Sequence, residues 1–139
     1  MIVLDTNVVS EMMEVEGNDD VVAWLNRADP TSLWLTATLI FEVKGGLDTM
    51  EEGRRKRRLL AAFDSLLQID FQDRVFPFDQ EAAIEAARIG AERQRRGRPI
   101  DIKDTLIAGI AVSRGAAIAT RNVRHFDDLP VQVIKPWEA

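Results

Sequence analysis

Short apolar runs alternating with longer stretches of helical periodicity constrain this chain more than any other feature. Met1–Leu4, Leu33–Thr36, Val75–Phe78, Ala117–Ala119 and Val131–Ile134 have the length and character of buried strands. Pro77 favours a sheet edge or a strand end for the third of these. Between them lie helical patterns. Asn18 can cap a helix reaching about Arg27, with Val21, Val22 and Leu25 at helical spacing. Leu39, Ile40, Val43, Leu47 and Met50 recur at three- and four-residue steps and predict a helix from about Ala37 to Met50. Arg54–Gln68 follows with a basic start and an apolar end. Asp79 can cap an alanine-rich helix to about Arg96, and Ile102–Arg114 is a further helix stopped by Gly115. The alternation predicts an α/β fold with a central, mainly parallel sheet and helices on both faces. In such sheets ligands bind beyond the carboxyl ends of the strands. No repeat or linker-like tract divides residues 1–139, so a single domain is expected.

Composition narrows the chemistry. The chain has no cysteine, which excludes disulfides, zinc–thiolate sites and thiol nucleophiles. Its one histidine, His125, rules out a two-histidine metal site, and no strand–turn–helix serine motif accompanies it. The 23 Asp and Glu residues are the remaining resource, and hard oxygen ligands of this kind suit magnesium or manganese. A net charge of −5 argues against a protein that coats nucleic acid, although Arg54–Arg58 and the group Arg93, Arg95, Arg96 and Arg98 remain locally basic. No apolar stretch is long enough to span a bilayer, and a cytoplasmic location is expected.

The carboxylates that stand out are placed by the elements around them. Asp5 follows the first strand directly, where it is either a helix cap or turn residue or a group at the sheet's carboxyl edge. Glu42 lies at the boundary of the apolar stripe of its helix. Gly45-Gly46 after it implies close packing or an early helix end. Asp104 shares a face with Ile107, Ala108 and Ala111 on a helix that is apolar nearly all round. A carboxylate there is costly unless paired, hydrogen-bonded or metal-bound. Asp101 reads as the cap of that helix, with metal ligation as the alternative. The polar turn Thr120-Arg121-Asn122 follows a strand and is a place to orient water or touch phosphate. His125-Phe126 reads as loop packing, and Asp127 and Asp128 as solvated.

Taken in order, Met-Ile-Val-Leu-Asp-Thr-Asn, Thr36-Ala37 leading to Glu42, Ile100–Asp104 with the following Leu-Ile-Ala, Ala119–Asn122 and the closing Val-Ile-Lys-Pro-Trp resemble the PIN-domain family, in its VapC/FitB-type branch. The resemblance spans essentially the whole chain. It implies a PIN fold and a metal-dependent endoribonuclease, the toxin of a type II toxin–antitoxin pair. The acidic triad would be Asp5, Glu42 and Asp104. Asp5 and Asp104 would hold Mg2+, with Mn2+ able to substitute. Many relatives carry a fourth acid where this chain has Asn122, which adds no charge toward a second ion; Asp127 is the alternative carboxylate. Thr6, Thr120 and Asn122 would orient water or ligands, and Arg121 and Arg98 would contact phosphate. The implied partners are an RNA substrate, a small antitoxin whose tail blocks the acidic pocket, DNA only through the antitoxin complex, and a second copy in a homodimer.

Two other readings stay open at this level. A PIN fold retained as a binding or regulatory subunit with little nuclease activity accommodates Asn122. A phosphatase with Asp5 as covalent nucleophile would need a second aspartate two residues on, where Asn7 stands.

Overall fold

The computed structural model describes residues 1–138. Five strands, β1 (Ile2–Leu4), β2 (Leu33–Thr36), β3 (Val75–Phe76), β4 (Ala117–Ala119) and β5 (Val133–Ile134), form one sheet in the order β3-β2-β1-β4-β5, and every pairing is parallel. The register sets Ile2 beside both Leu33 and Ala117. The edge strands β3 and β5 are only two residues long. The sequence expected longer runs there, but Pro77 cannot donate to a ladder, and only Val133 and Ile134 of the last run are paired.

Successive strand residues point to opposite faces, and the core divides accordingly. Leu4, Leu33, Leu35 and Ala119 pack with α1 (Thr6–Met13), α2 (Asp19–Arg27), α3 (Ala37–Asp48) and α4 (Arg54–Ser65). Val3, Phe76 and Ile118 pack with α5 (Gln80–Arg95) and α6 (Ile102–Arg114). Helices therefore cover both faces.

The sequence assigned no element to α1. Its Thr, Asn and Val residues are modest helix formers, but Asp5 caps its start and Val8, Val9 and Met13 are buried, so packing overrides propensity. After α4 the chain makes a π-helical turn, Leu66–Asp70, rather than continuing as α-helix. Gly45 and Gly46 produce neither of the expected effects: α3 runs on to Asp48, and an added Cβ at either would meet nothing within 4 Å. Close packing occurs instead at Gly109. There a Cβ would sit 2.5 Å from the Ala82 carbonyl oxygen and 2.6 Å from the Ala86 Cβ, so α5 and α6 lie backbone against backbone. Gly115 adopts the left-handed conformation (φ 64°) that ends α6. No described helix is long and apolar enough to cross a membrane.

Candidate active site

The strand order reverses direction at β1 and β4, and the crevice between their carboxyl ends is where this topology leaves room for a ligand. Asp5 and Thr120 are the first residues past those two ends. The Thr120 hydroxyl, wholly buried, donates to Asp5 Oδ2 at 2.7 Å, while Asp5 Oδ1 accepts from the Thr6 N–H at 2.8 Å. Asp5 is thus both the cap of α1 and a group facing the crevice, so the two sequence alternatives are one arrangement. Asn7 Nδ2 approaches Asp5 Oδ2 at 3.5 Å.

Glu42 comes from the middle of α3 and accepts a 2.6 Å hydrogen bond from the Thr6 hydroxyl. Lys103, at the start of α6, lies 3.8 Å from Glu42 Oε2. Asp104 is on the same first turn of α6, which Asp101 caps by accepting from the Lys103 N–H at 2.8 Å. Asp5, Glu42 and Asp104 line one cavity of about 350 Å³, together with Thr6, Asn7, Ser10, Asp101, Lys103 and Asn122. Side chains separated by almost the whole chain therefore share one space.

The cavity is costly to ionise. Burial raises the Asp5 carboxyl above its ordinary range; the hydrogen bonds from Thr120 and Thr6 oppose this, and the charges of Asp104 and Glu42 add to it. Burial also raises Asp104, against the hydrogen bond and charge of His125 and with the repulsion of Asp101 and Glu42. Such a pocket favours a divalent cation, and its donors are hard oxygens without any thiol. Among the described residues no three His, Asp or Glu side chains gather as a direct cage for one ion.

Several expectations are corrected. His125 is not simple loop packing: its Nδ1 lies 2.7 Å from Asp104 Oδ2. Asp128 is not solvated. It forms a two-point ion pair with the buried Arg93 (2.9 and 3.0 Å), whose guanidinium also donates to the Thr105 hydroxyl and the His125 carbonyl. Arg93 is therefore an internal tie between α5, α6 and the loop after β4 rather than part of a basic surface. Asp127 does not reach the carboxylate cavity; it pairs with Arg98 at 2.8 Å. Arg98 and Arg121 also stand outside that cavity. Arg98 additionally donates to the Arg124 carbonyl, and Arg121 sits over the Trp137 ring. In the Arg54–Arg58 segment, Lys56 is buried and paired with Glu52, while Arg55 and Arg58 face Glu14.

Sequence reasoning did not single out Asn7, Ser10 and Lys103. Recognising α1 as a helix would have found Ser10, which lies one turn beyond Thr6. Lys103 adjoins Asp104, and only its helix-start position marked it. Nothing in the sequence pointed to the His125–Asp104 contact.

The family model described as PIN domain matches residues 2–131 of this chain. The chain belongs to the PIN-domain family. This PIN domain is 34% identical over 138 residues to the VapC ribonuclease Y4jK of Sinorhizobium fredii, covering 99% of each chain. It is 32% identical over 137 residues to the toxin FitB of Neisseria gonorrhoeae, again covering 99% of each. The solved structure of FitAcB from Neisseria gonorrhoeae superposes on it with a TM-score of 0.87 at 31% identity, and all of both chains is covered. The PIN domain described here is thus a VapC/FitB-type chain, and its all-parallel sheet is the architecture it shares with those relatives.

Proposed function

We propose that this PIN domain is the toxin of a toxin–antitoxin pair and cleaves RNA phosphodiester bonds with the help of Mg2+, for which Mn2+ can substitute. The carrying observation is the convergence of Asp5, Glu42 and Asp104 on one cavity at the point where the strand order reverses. The 34% identity to a VapC ribonuclease supports RNA as the substrate.

Asp5 and Asp104 would hold the cation, directly or through water. A divalent ion bound there supplies a Lewis acid for the phosphate oxygen and a more acidic water. Thr120 and the Thr6 N–H fix the Asp5 carboxylate, and the Thr6 hydroxyl fixes Glu42, so the acidic groups are oriented before substrate arrives. Glu42 faces the same space and can accept a hydrogen bond from a water. Lys103 tempers the negative charge at the Glu42 side, easing the approach of a phosphate. The Asn122 side chain lines the cavity as a neutral group that can position water. The acidic pocket also suits capture by a basic side chain of a small antitoxin, which would silence the enzyme.

The test is cleavage of a panel of RNAs by the purified chain, freed of any partner. Cleavage should need Mg2+ or Mn2+, stop with chelator, and vanish in a folded Asp104→Asn variant. Unchanged cleavage by that variant would remove Asp104 from the mechanism. Failure of the wild-type chain across the panel would favour a PIN fold that serves only as a binding subunit.

A further inference from the structure

A second cavity, of about 740 Å³, opens beside the carboxylate cavity. Asp101 lines both, and the Asp104–His125 contact is the wall between them: Asp104 faces one space and His125 the other. Its size falls within the range of small-molecule sites. Pro99 and Ile100 give it an apolar side, the His125 ring a flat one, and Arg124 a cation.

Arg124 differs from the other cations around the two cavities. Lys103 faces Glu42, Arg98 is paired with Asp127, and Arg93 is buried against Asp128. The exposed Arg124 side chain has no ion-pair or hydrogen-bond partner among the described residues. Its backbone, in contrast, is held: Arg98 donates to its carbonyl while gripping Asp127, and Arg93 grips the carbonyl of His125 next to it. The acids lining this cavity are already engaged, Asp127 with Arg98 and Asp101 as the cap of α6. A fixed loop thus contributes one uncommitted cation to a cavity that Pro99, Ile100 and His125 also line.

We propose that this cavity seats the nucleotide adjoining the cleaved phosphodiester. Arg124 takes that nucleotide's phosphate, and Pro99, Ile100 and His125 face its sugar and base. The inference rests on the ribonuclease reading above and places the strand on the His125 flank of the carboxylate cavity. Bases of single strands are recognised by stacking and apolar contact, and their phosphates by arginine. The opposite flank of the carboxylate cavity offers a different surface. Its neighbouring pocket is walled by Met13, Val43, Leu47 and Leu59, and its Arg55 faces Glu14, so it lacks an uncommitted cation.

The experiment compares wild type, Arg124→Gln, and a control Arg27→Gln on α2, a residue that lines neither cavity. The probes are a mixed-sequence ten-nucleotide RNA and a dinucleoside monophosphate, which has the scissile phosphate but no neighbouring one. For the longer RNA, Arg124→Gln should raise KM about tenfold with kcat within about twofold, the signature of lost substrate binding. The salt dependence of binding should fall by about one counterion. Cleavage of the dinucleoside monophosphate should be unaffected, and Arg27→Gln should match wild type on both probes. If wild type cleaves both probes and Arg124→Gln matches it in KM and salt slope, the subsite is overturned while the ribonuclease reading stands. An equal loss on both probes also overturns it, because Arg124 would then act at the scissile phosphate. If wild type neither binds nor cleaves either RNA, the ribonuclease reading falls and the subsite with it.

Discussion

Thr120 and Asp5 are 115 residues apart in sequence and joined by a 2.7 Å hydrogen bond that ties the carboxyl end of β4 to that of β1. The bond holds down the charge cost of a carboxylate that burial drives upward. Thr120→Val keeps the shape and removes the donor. We expect a loss of about 1–2 kcal/mol in urea unfolding at neutral pH, from a buried acceptor left short of a partner. Cleavage should fall about tenfold, as when a group orienting a metal ligand is lost. The acid limb of the pH–rate profile should move to higher pH, because the Asp5 carboxyl then rises further.

The raised carboxyls of Asp5 and Asp104 set a sign for stability. A folded-state acid above its ordinary value of 3.8 binds protons more readily than the unfolded chain does. Without divalent cation, this contribution therefore makes the fold lose stability as pH rises from about the ordinary value through the folded one. Asp104→Asn removes that penalty at neutral pH. Thermal unfolding without cation should place the variant's Tm at or above that of wild type. Added Mn2+ should raise the wild-type Tm and leave the variant nearly unmoved. A variant that gains as much from Mn2+ as wild type would show that the ion binds without Asp104.

Arg93 and Asp128 carry the opposite sign. The Arg93 hydrogen bond, opposed by burial and assisted by its charge, holds the Asp128 carboxyl below its ordinary 3.8. The pair's contribution is complete above that value and is lost as pH falls through the lower folded one. Asp128→Asn leaves Arg93 buried beside a neutral partner, and chemical denaturation at pH 7 should show a loss of about 3–5 kcal/mol. The deficit relative to wild type should shrink as pH falls below the ordinary carboxylate value and Asp128 itself protonates.

Two glycines on helices should respond in opposite directions. Gly109→Ala forces a methyl group onto the Ala82 carbonyl, which belongs to backbone and cannot swing away; a loss of about 1–3 kcal/mol is expected. Gly45→Ala meets open space inside α3 and should gain about 0.5–1 kcal/mol from helix propensity alone. Urea midpoints of the two variants check both.

The sheet and most helices were legible because they follow from periodicity and from caps such as Asn18, Asp79 and Asp101, whose side chains do accept the expected N–H groups. The helix α1 was not, since Val8-Val9 after Thr6-Asn7 has neither strong propensity nor a full apolar stripe, and its burial is decided by neighbours distant in sequence. Asp5, Glu42 and Asp104 could be nominated one at a time from strand ends and helix faces, while their shared cavity depends on the order of the strands. The pairings of His125 with Asp104 and of Arg93 with Asp128 were illegible for a simpler reason. Each joins a helix to the loop after β4, and no local pattern records which side chain a loop will turn inward.

The short outer strands carry one last consequence. With two residues each, β3 and β5 expose almost no free ladder of amide and carbonyl groups, so another chain finds little template for extending the sheet. Pairing through the sheet edges is correspondingly disfavoured, which leaves side chains and helix faces as the larger exposed surface. The β framework that carries Asp5 and Thr120 at its strand ends is thereby shielded from edge-to-edge association.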